Sequence, residues 1–328
     1  MQSMVDGYIA SLRVGDAMPF GGMTLFPVFR DGASPLRYQV LSEALADGSV
    51  EVRERPTATV PELWLMNRSD SMVLVLDGEE VVGGKQNRIA NASFLIGAGG
   101  EVALPVTCVE HGRWHDVAPR FENGEAMYHS LRREKEQQVR ANLRATGRAE
   151  ADQGAVWEAI AAKQRETRTR SATGAMNDLY RGRAKDLSDY ERAFPAVASA
   201  VGMAVALNGR MVGADLFDQP APAEKLWPKL VRSYAMDALD GEGSEAVARE
   251  RAERLLRRLV GARVESYPSI GLGQDLRLEG DRAVGSALVF QGVVVHLGIF
   301  RVHGRRSGTE SSGIASASLR RRLRQHSE

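Results

Sequence analysis

The chain has 328 residues, 43% hydrophobic and 26% charged, with a formal net charge of +1. Such a chain is globular and long enough to bury a sizeable core, and its balanced charge gives no global reason to bind nucleic acid or an anionic membrane. The lone Cys108 excludes an intrachain disulfide and a cysteine-rich zinc module, and it suits a reducing, cytoplasmic setting.

In chain order, the N-terminus lacks the apolar core of a signal peptide, and no run approaches the roughly 18 apolar residues of a membrane span. Residues 11–30 read as short strands broken by Gly21-Gly22 and Pro27, and Tyr38–Ala46 reads as a short helix ended by Asp47-Gly48. Strands follow over Ser49–Glu54 and Leu63–Met66. Then comes the densest stretch, Met72–Arg88, in which Val73–Leu76 and Glu79–Val82 read as a hairpin turning at Asp77-Gly78. Further strands are expected at Ala92–Ile96 and Glu101–Glu110.

From about residue 119 the chain turns helical and rich in Arg, Glu and Gln. With no aromatic stacking partners interleaved among them, its charges read as a solvated helix face, and nucleic acid is an unlikely partner. A second β section begins at Ala198. Helices are expected over Glu224–Leu239 and Glu245–Val260, joined by a DGEGSE linker, and a third β section spans Arg263–Val302. The arginine-rich tail, 303–328, reads as disordered and as a possible contact for a protein partner.

A short motif repeats. Met72–Gly78, Met203–Gly209 and Ala287–Gly292 each carry an apolar run into Asp-Gly, Asn-Gly or Gln-Gly, so three hairpins are expected in one sheet system. The fold class is α+β, a single unit over 8–302. It has a β-rich part (8–118), a helical middle (119–197) and a part returning to the sheets (198–302).

Candidate chemistry concentrates after Asp77-Gly78. Gly83-Gly84 could present backbone N–H groups as an anion nest, flanked by Lys85, Gln86 and Arg88. Glu79 and Glu80 are candidate acid–base groups. The spacing is no P-loop, since Glu79 replaces the first glycine and Gln86 stands where Ser or Thr should hold magnesium. In PVTCVEHGRW, Cys108 is a candidate nucleophile and Glu110 a candidate acid needing a cation such as Arg88 or Arg113, while Trp114 could stack on a base. His296, among apolar residues, reads as a core histidine. No metal motif stands out, although Glu79, Glu80, Asp215 and Asp218 could gather a hard cation if the hairpins converge. Gly271-Leu272-Gly273 lacks the rest of a dinucleotide fingerprint.

GEEVVGGKQNR (Gly78–Arg88) and PVTCVEHGRW (Pro105–Trp114), with weaker support from VGADLF and SALVFQGVVVHLGIF, resemble an uncharacterised family. That family is named for its genomic association with ADP-ribosylglycohydrolases and rhodanese-type phosphatases. The resemblance implies a link to NAD and ADP-ribose metabolism; no reaction follows from it, and any cofactor is left unknown. Two functions follow as expectations. The first is binding or processing of a nucleotide-like anion, with Gly83, Gly84, Lys85, Gln86, Arg88, Arg113 and Trp114 holding it and Glu79, Glu80, Glu110 or Cys108 acting on it. The second is a non-catalytic interaction protein whose Glu/Lys/Arg cluster is structural.

Overall fold

The computed structural model describes residues 1–32, 34–54, 61–115, 120–239, 241 and 247–302. Helices and strands are mixed throughout, as expected of an α+β chain. The expected basic tail, the joint near residue 119 and most of the DGEGSE linker lie outside the described residues.

The largest sheet is antiparallel, and its centre is two copies of one hairpin. Ala200–Leu207 turns into Arg210–Phe217 through Asn208 and Gly209, with φ of 46° and 73°. Ala283–Phe290 turns into Val293–Arg301 through Gln291 and Gly292, with φ of 47° and 79°. Positive φ at both central residues gives the two-residue turn whose twist matches the flanking strands. Both copies open on Ala-Val-Gly, and both slip register just before the turn.

Arg210–Phe217 and Val293–Arg301 pair with each other about Asp215↔Gly298, flanked symmetrically by Gly213↔Phe300 and Phe217↔His296. The four strands therefore share a pseudo-twofold axis at Asp215. The symmetry extends outward. Gln274–Gly280 and Arg263–Pro268 flank one side, and Met23–Arg30 and Leu12–Val14 flank the other. Helix Gln2–Ala10 leads the first copy and Arg249–Arg257 the second, and both pack on the same face of the sheet. One αββββ unit is thus continuous over 249–301, whereas the other is split, with 31–199 inserted between Met23–Arg30 and Ala200–Leu207.

The insertion carries the smaller sheets and folds over the opposite face. There the third expected hairpin fails. Met72–Val75 pairs with Phe94–Ile96 and, in parallel, with Tyr38–Val40, while Glu79–Val82 pairs with Arg88–Ala90 and Glu122–Ala126. Asp77-Gly78 is still a tight turn, with Glu79 N bonded to Leu76 O and Gly78 at φ 77°, but it passes the chain from one sheet to another. Tyr38–Ala46 is likewise corrected. Its first three residues are a strand and only Leu41–Ala46 is helix, because pairing with Met72–Leu74 claims Tyr38–Val40.

The arginine-rich middle forms helices His129–Thr146 and Gln153–Glu166, the first ended by Gly147 in the left-handed conformation. The expected solvated face is wrong for the first of them, since Arg132, Lys135 and Glu136 are fully buried between the insertion and the large sheet. Arg132 grips Asp215, Glu136 meets Arg277, Arg140 meets Glu279, and Arg144 meets Glu265 and Glu279. Spacing of four residues puts all four on one helical stripe, which lies against the sheet as a ladder of ion pairs.

Candidate functional site

Three polar clusters lie within the insertion and between it and the large sheet. The first is the loop after Glu79–Val82. Arg113 fills its centre, donating to Gly84 O at 2.5 Å, Gly83 O at 3.3 Å, Asn87 Oδ1 at 3.0 Å and Glu110 Oε2 at 2.6 Å. Glu110 also accepts from Thr173 Oγ1 and Asn87 N. Burial raises its pKa, but Arg113, Thr173 and the Asn87 amide overcome that and hold it below the usual carboxylate range. Gln86 donates to Glu110 O, and Arg88, itself buried, donates to Gln86 O with Glu54 3.7 Å away.

The expected anion nest is therefore already occupied. Gly83 N donates to Asn87 Oδ1 and Lys85 N to Glu54 Oε1, while both glycine carbonyls turn toward Arg113. Glycine is needed here, because φ is 144° at Gly83 and 48° at Gly84, and a Cβ on Gly84 would lie 2.5 Å from Phe121. Two side chains of the motif point elsewhere. Trp114 is 56% exposed and so is no core aromatic, and Lys85 Nζ stands 5.7 Å from its ring centre.

The second cluster holds the paired carboxylates, which strand alternation sends to different partners. Glu79 accepts from Lys229 Nζ at 2.6 Å and from Leu76 N at 3.0 Å. Glu80 accepts only neutral donors, Asn177 Nδ2 at 3.0 Å and Glu125 N at 3.2 Å, through one oxygen. Its Oε1 has no hydrogen-bond partner among the described residues, and burial pushes its pKa up to about 7 against those two hydrogen bonds.

The third cluster sits at the pseudo-twofold axis. Arg132 binds Asp215 through both terminal nitrogens, at 3.0 and 2.6 Å, and Tyr234 Oη donates to the same carboxylate at 2.8 Å. Burial would raise Asp215, but Arg132 and His296 hold it far below the usual carboxylate range. Lys135 pairs with Asp77, whose backbone N–H donates to Ser93 Oγ. Ser93 Oγ lies 2.9 Å from His296 Nδ1, so His296 is a core histidine with a polar partner, and its Nε2 is 3.4 Å from Asp215. His129 stacks on Tyr234 and Phe300 with neither nitrogen hydrogen-bonded to a described residue, and burial lowers its pKa to about 4. Asp218 stands apart, held by Ser34 and Tyr38. Among the described residues no three His, Cys, Asp or Glu side chains gather into a metal site, so the four carboxylates do not converge on a cation.

A family model described as "ARG and Rhodanese-Phosphatase-superfamily-associated Protein domain" (ARPP-1) matches residues 11–300. The chain belongs to this family. Comparison with curated proteins and with solved structures gives no match. The ARPP-1 match covers the strands of both halves of the split unit and the whole insertion between them, and leaves helix Gln2–Ala10 outside it.

The two segments that carried the resemblance meet in the ARPP-1 fold. Cys108 pairs in register with Arg88, and the Gly83–Arg88 loop closes on Glu110 and Arg113. Cys108 is buried, and burial raises its thiol pKa against the opposing charge of Arg88. We therefore expect native protein at neutral pH to react with iodoacetamide far more slowly than urea-unfolded protein; equal rates would show an accessible thiolate.

Arg132, Lys135, Glu136, His129, Tyr234, Arg277 and Lys229 were not read as site residues from sequence. One usable signal was present, the four-residue spacing of Arg132, Glu136, Arg140 and Arg144, which a solvated helix does not require.

Proposed function

We propose that this protein binds a nucleotide-like anion related to ADP-ribose or NAD, and that it binds rather than transforms it. The carrying observation is the exposed Trp114 ring beside Lys85, mounted on the buried Arg113–Glu110 clasp. An indole presented on a rigid base offers a stacking face for adenine at small entropic cost, and the adjacent ammonium complements a phosphate. The ARPP-1 family's named association with ADP-ribosylglycohydrolases supports that ligand class.

Gly83, Gly84, Gln86, Arg88, Arg113 and Glu110 serve in this reading as the clasp and not as direct ligand contacts. The non-catalytic half rests on the candidate catalytic groups, because Glu79, Glu110 and Cys108 are engaged or sealed inside the fold. Glu80 is fully buried as well.

A thermal-shift and tryptophan-fluorescence titration tests the proposal. ADP-ribose should raise the melting temperature and quench emission. Trp114→Ala should abolish the quench while leaving the ligand-free melting temperature nearly unchanged, since the ring is exposed. No stabilisation by ADP-ribose or NAD, with or without Mg²⁺, would sink it.

A further inference from the structure

On the far end of the large sheet, where the Asn208-Gly209 hairpin meets helix Arg249–Arg257, arginines gather around two hollows with no acidic residue among the described lining. A groove of about 530 Å³ is bordered by Arg133, Arg210, Arg251 and Arg301 over a floor of Leu207, Met211 and Val212. A smaller hollow of about 170 Å³ shares Arg251, Arg301 and Met211 with it and adds Arg254 and Arg258. No carboxylate borders either hollow among the described residues.

The guanidinium groups are aimed by the backbone. Arg251 Nη1 donates to Gly209 O at 3.1 Å, and Arg301 Nη1 to Met211 O at 3.3 Å. Arg258 is held by Asp281 at 2.8 Å, and among the described residues Arg133 has only Glu134, 3.9 Å away, as a counter-charge. Among the described residues Arg210, Arg251, Arg254 and Arg301 have no acidic partner within ion-pair distance. Partial burial and the charges of Arg258, Arg251, Arg210 and Arg282 together push Arg301 below its ordinary pKa, the signature of crowded like charges.

In a chain of net charge +1 this is a local field that composition does not explain. Like charges held together by fixed backbone contacts cost stability, and a multivalent anion relieves that cost. We propose that this double hollow is a binding site for a diphosphate-bearing anion, one phosphoryl group in each hollow, bridged by Arg251 and Arg301. Two adjoining hollows sharing two arginines match two linked phosphoryl groups better than one, and arginine's planar fork suits their oxygens. The main groove has the size of a small-molecule site. This site is separate from Trp114 and stands or falls independently of the function proposed above.

The test is calorimetric titration of the full chain, at low salt, with inorganic pyrophosphate, ADP and inorganic phosphate. Wild type should bind pyrophosphate at least tenfold more tightly than phosphate. Arg210→Ala/Arg251→Ala should lose roughly tenfold or more in pyrophosphate affinity, with an unchanged or higher ligand-free melting temperature because repulsion is relieved. An ADP affinity that falls in parallel places the diphosphate of a nucleotide here; an ADP affinity that does not fall assigns the site to free pyrophosphate. Equal binding of pyrophosphate by wild type and variant, no pyrophosphate binding at all, or a short DNA duplex that binds without being displaced by pyrophosphate would overturn the inference.

Discussion

Arg132→Ala should cost about 3–5 kcal/mol of stability, the loss expected when one partner of a buried ion pair is removed. Arg132 has no exposed surface and makes both of its short contacts to Asp215. Without it, Asp215 keeps a buried charge facing only Tyr234 Oη and the more distant His296. Asp77 loses the second of its two cations, since Arg132 Nε stands 4.0 Å from it. A melting temperature lower by roughly 10 °C, or failure to accumulate folded protein, is the expected result. Neutralising both partners, as Arg132→Met/Asp215→Asn, removes the stranded charge, so the double variant should be less destabilised than the sum of its single changes. A single variant melting within a degree of wild type would show that the pseudo-twofold axis does not depend on this pair.

The second large effect is a pH dependence centred on Glu80. In the unfolded chain this carboxyl titrates near 4.5, whereas burial in the fold pushes it up to about 7. A raised folded pKa means that the folded state holds the proton more tightly. Its favourable contribution is complete below pH 4.5 and is lost as pH rises through about 7. At 1.36 kcal/mol per unit, that gap corresponds to about 3 kcal/mol. Glu80→Gln keeps the shape and still accepts from Asn177, but it cannot ionise. Its stability relative to wild type should therefore climb by about 3 kcal/mol between pH 4.5 and pH 8. His129, with its folded pKa lowered to about 4, loses stability as pH falls from 6.5, but it does so in both proteins and cancels from the difference. Parallel melting profiles for the two proteins across that range would mean that Glu80 is not held as a neutral acid.

How much could be read from the chain depended on whether local chemistry decided the outcome. Asn208-Gly209 and Gln291-Gly292 make hairpins because positive φ at two adjacent residues commits the chain to turn back on itself. Asp77-Gly78 offers the same residue types and a real turn, but Gly78 alone of the pair takes positive φ, and which strands pair beyond it is decided by Phe94–Ile96, Tyr38–Val40 and Glu122–Ala126, partners distant in sequence. The split of the first αββββ unit by 31–199 was invisible for the same reason, since strand spacing carries no record of what an insertion separates.

Charge misled in a different way. Arg132, Lys135 and Glu136 look like an exposed stripe because burial of a charge is costly, and here the large sheet supplies Asp215 and Arg277 while Asp77 of the insertion pairs with Lys135. Around Gly83–Arg88 the residues were legible as a group, and Arg113 was correctly one of two cations expected for Glu110. Their direction was not legible. A glycine pair exposes either N–H or C=O groups according to its φ and ψ, and here the carbonyls face Arg113.

Recognition of a nucleotide-like anion at Trp114 without turnover leaves a distinct spectroscopic mark. Proton NMR of ADP-ribose mixed with the full chain tests it most directly. The adenine protons should broaden and move upfield as the base stacks on the indole, Trp114→Ala should remove the shift, and the ribose anomeric signals should stay unchanged on long incubation. Adenine signals that do not move, or anomeric signals that convert to those of a product, would contradict it.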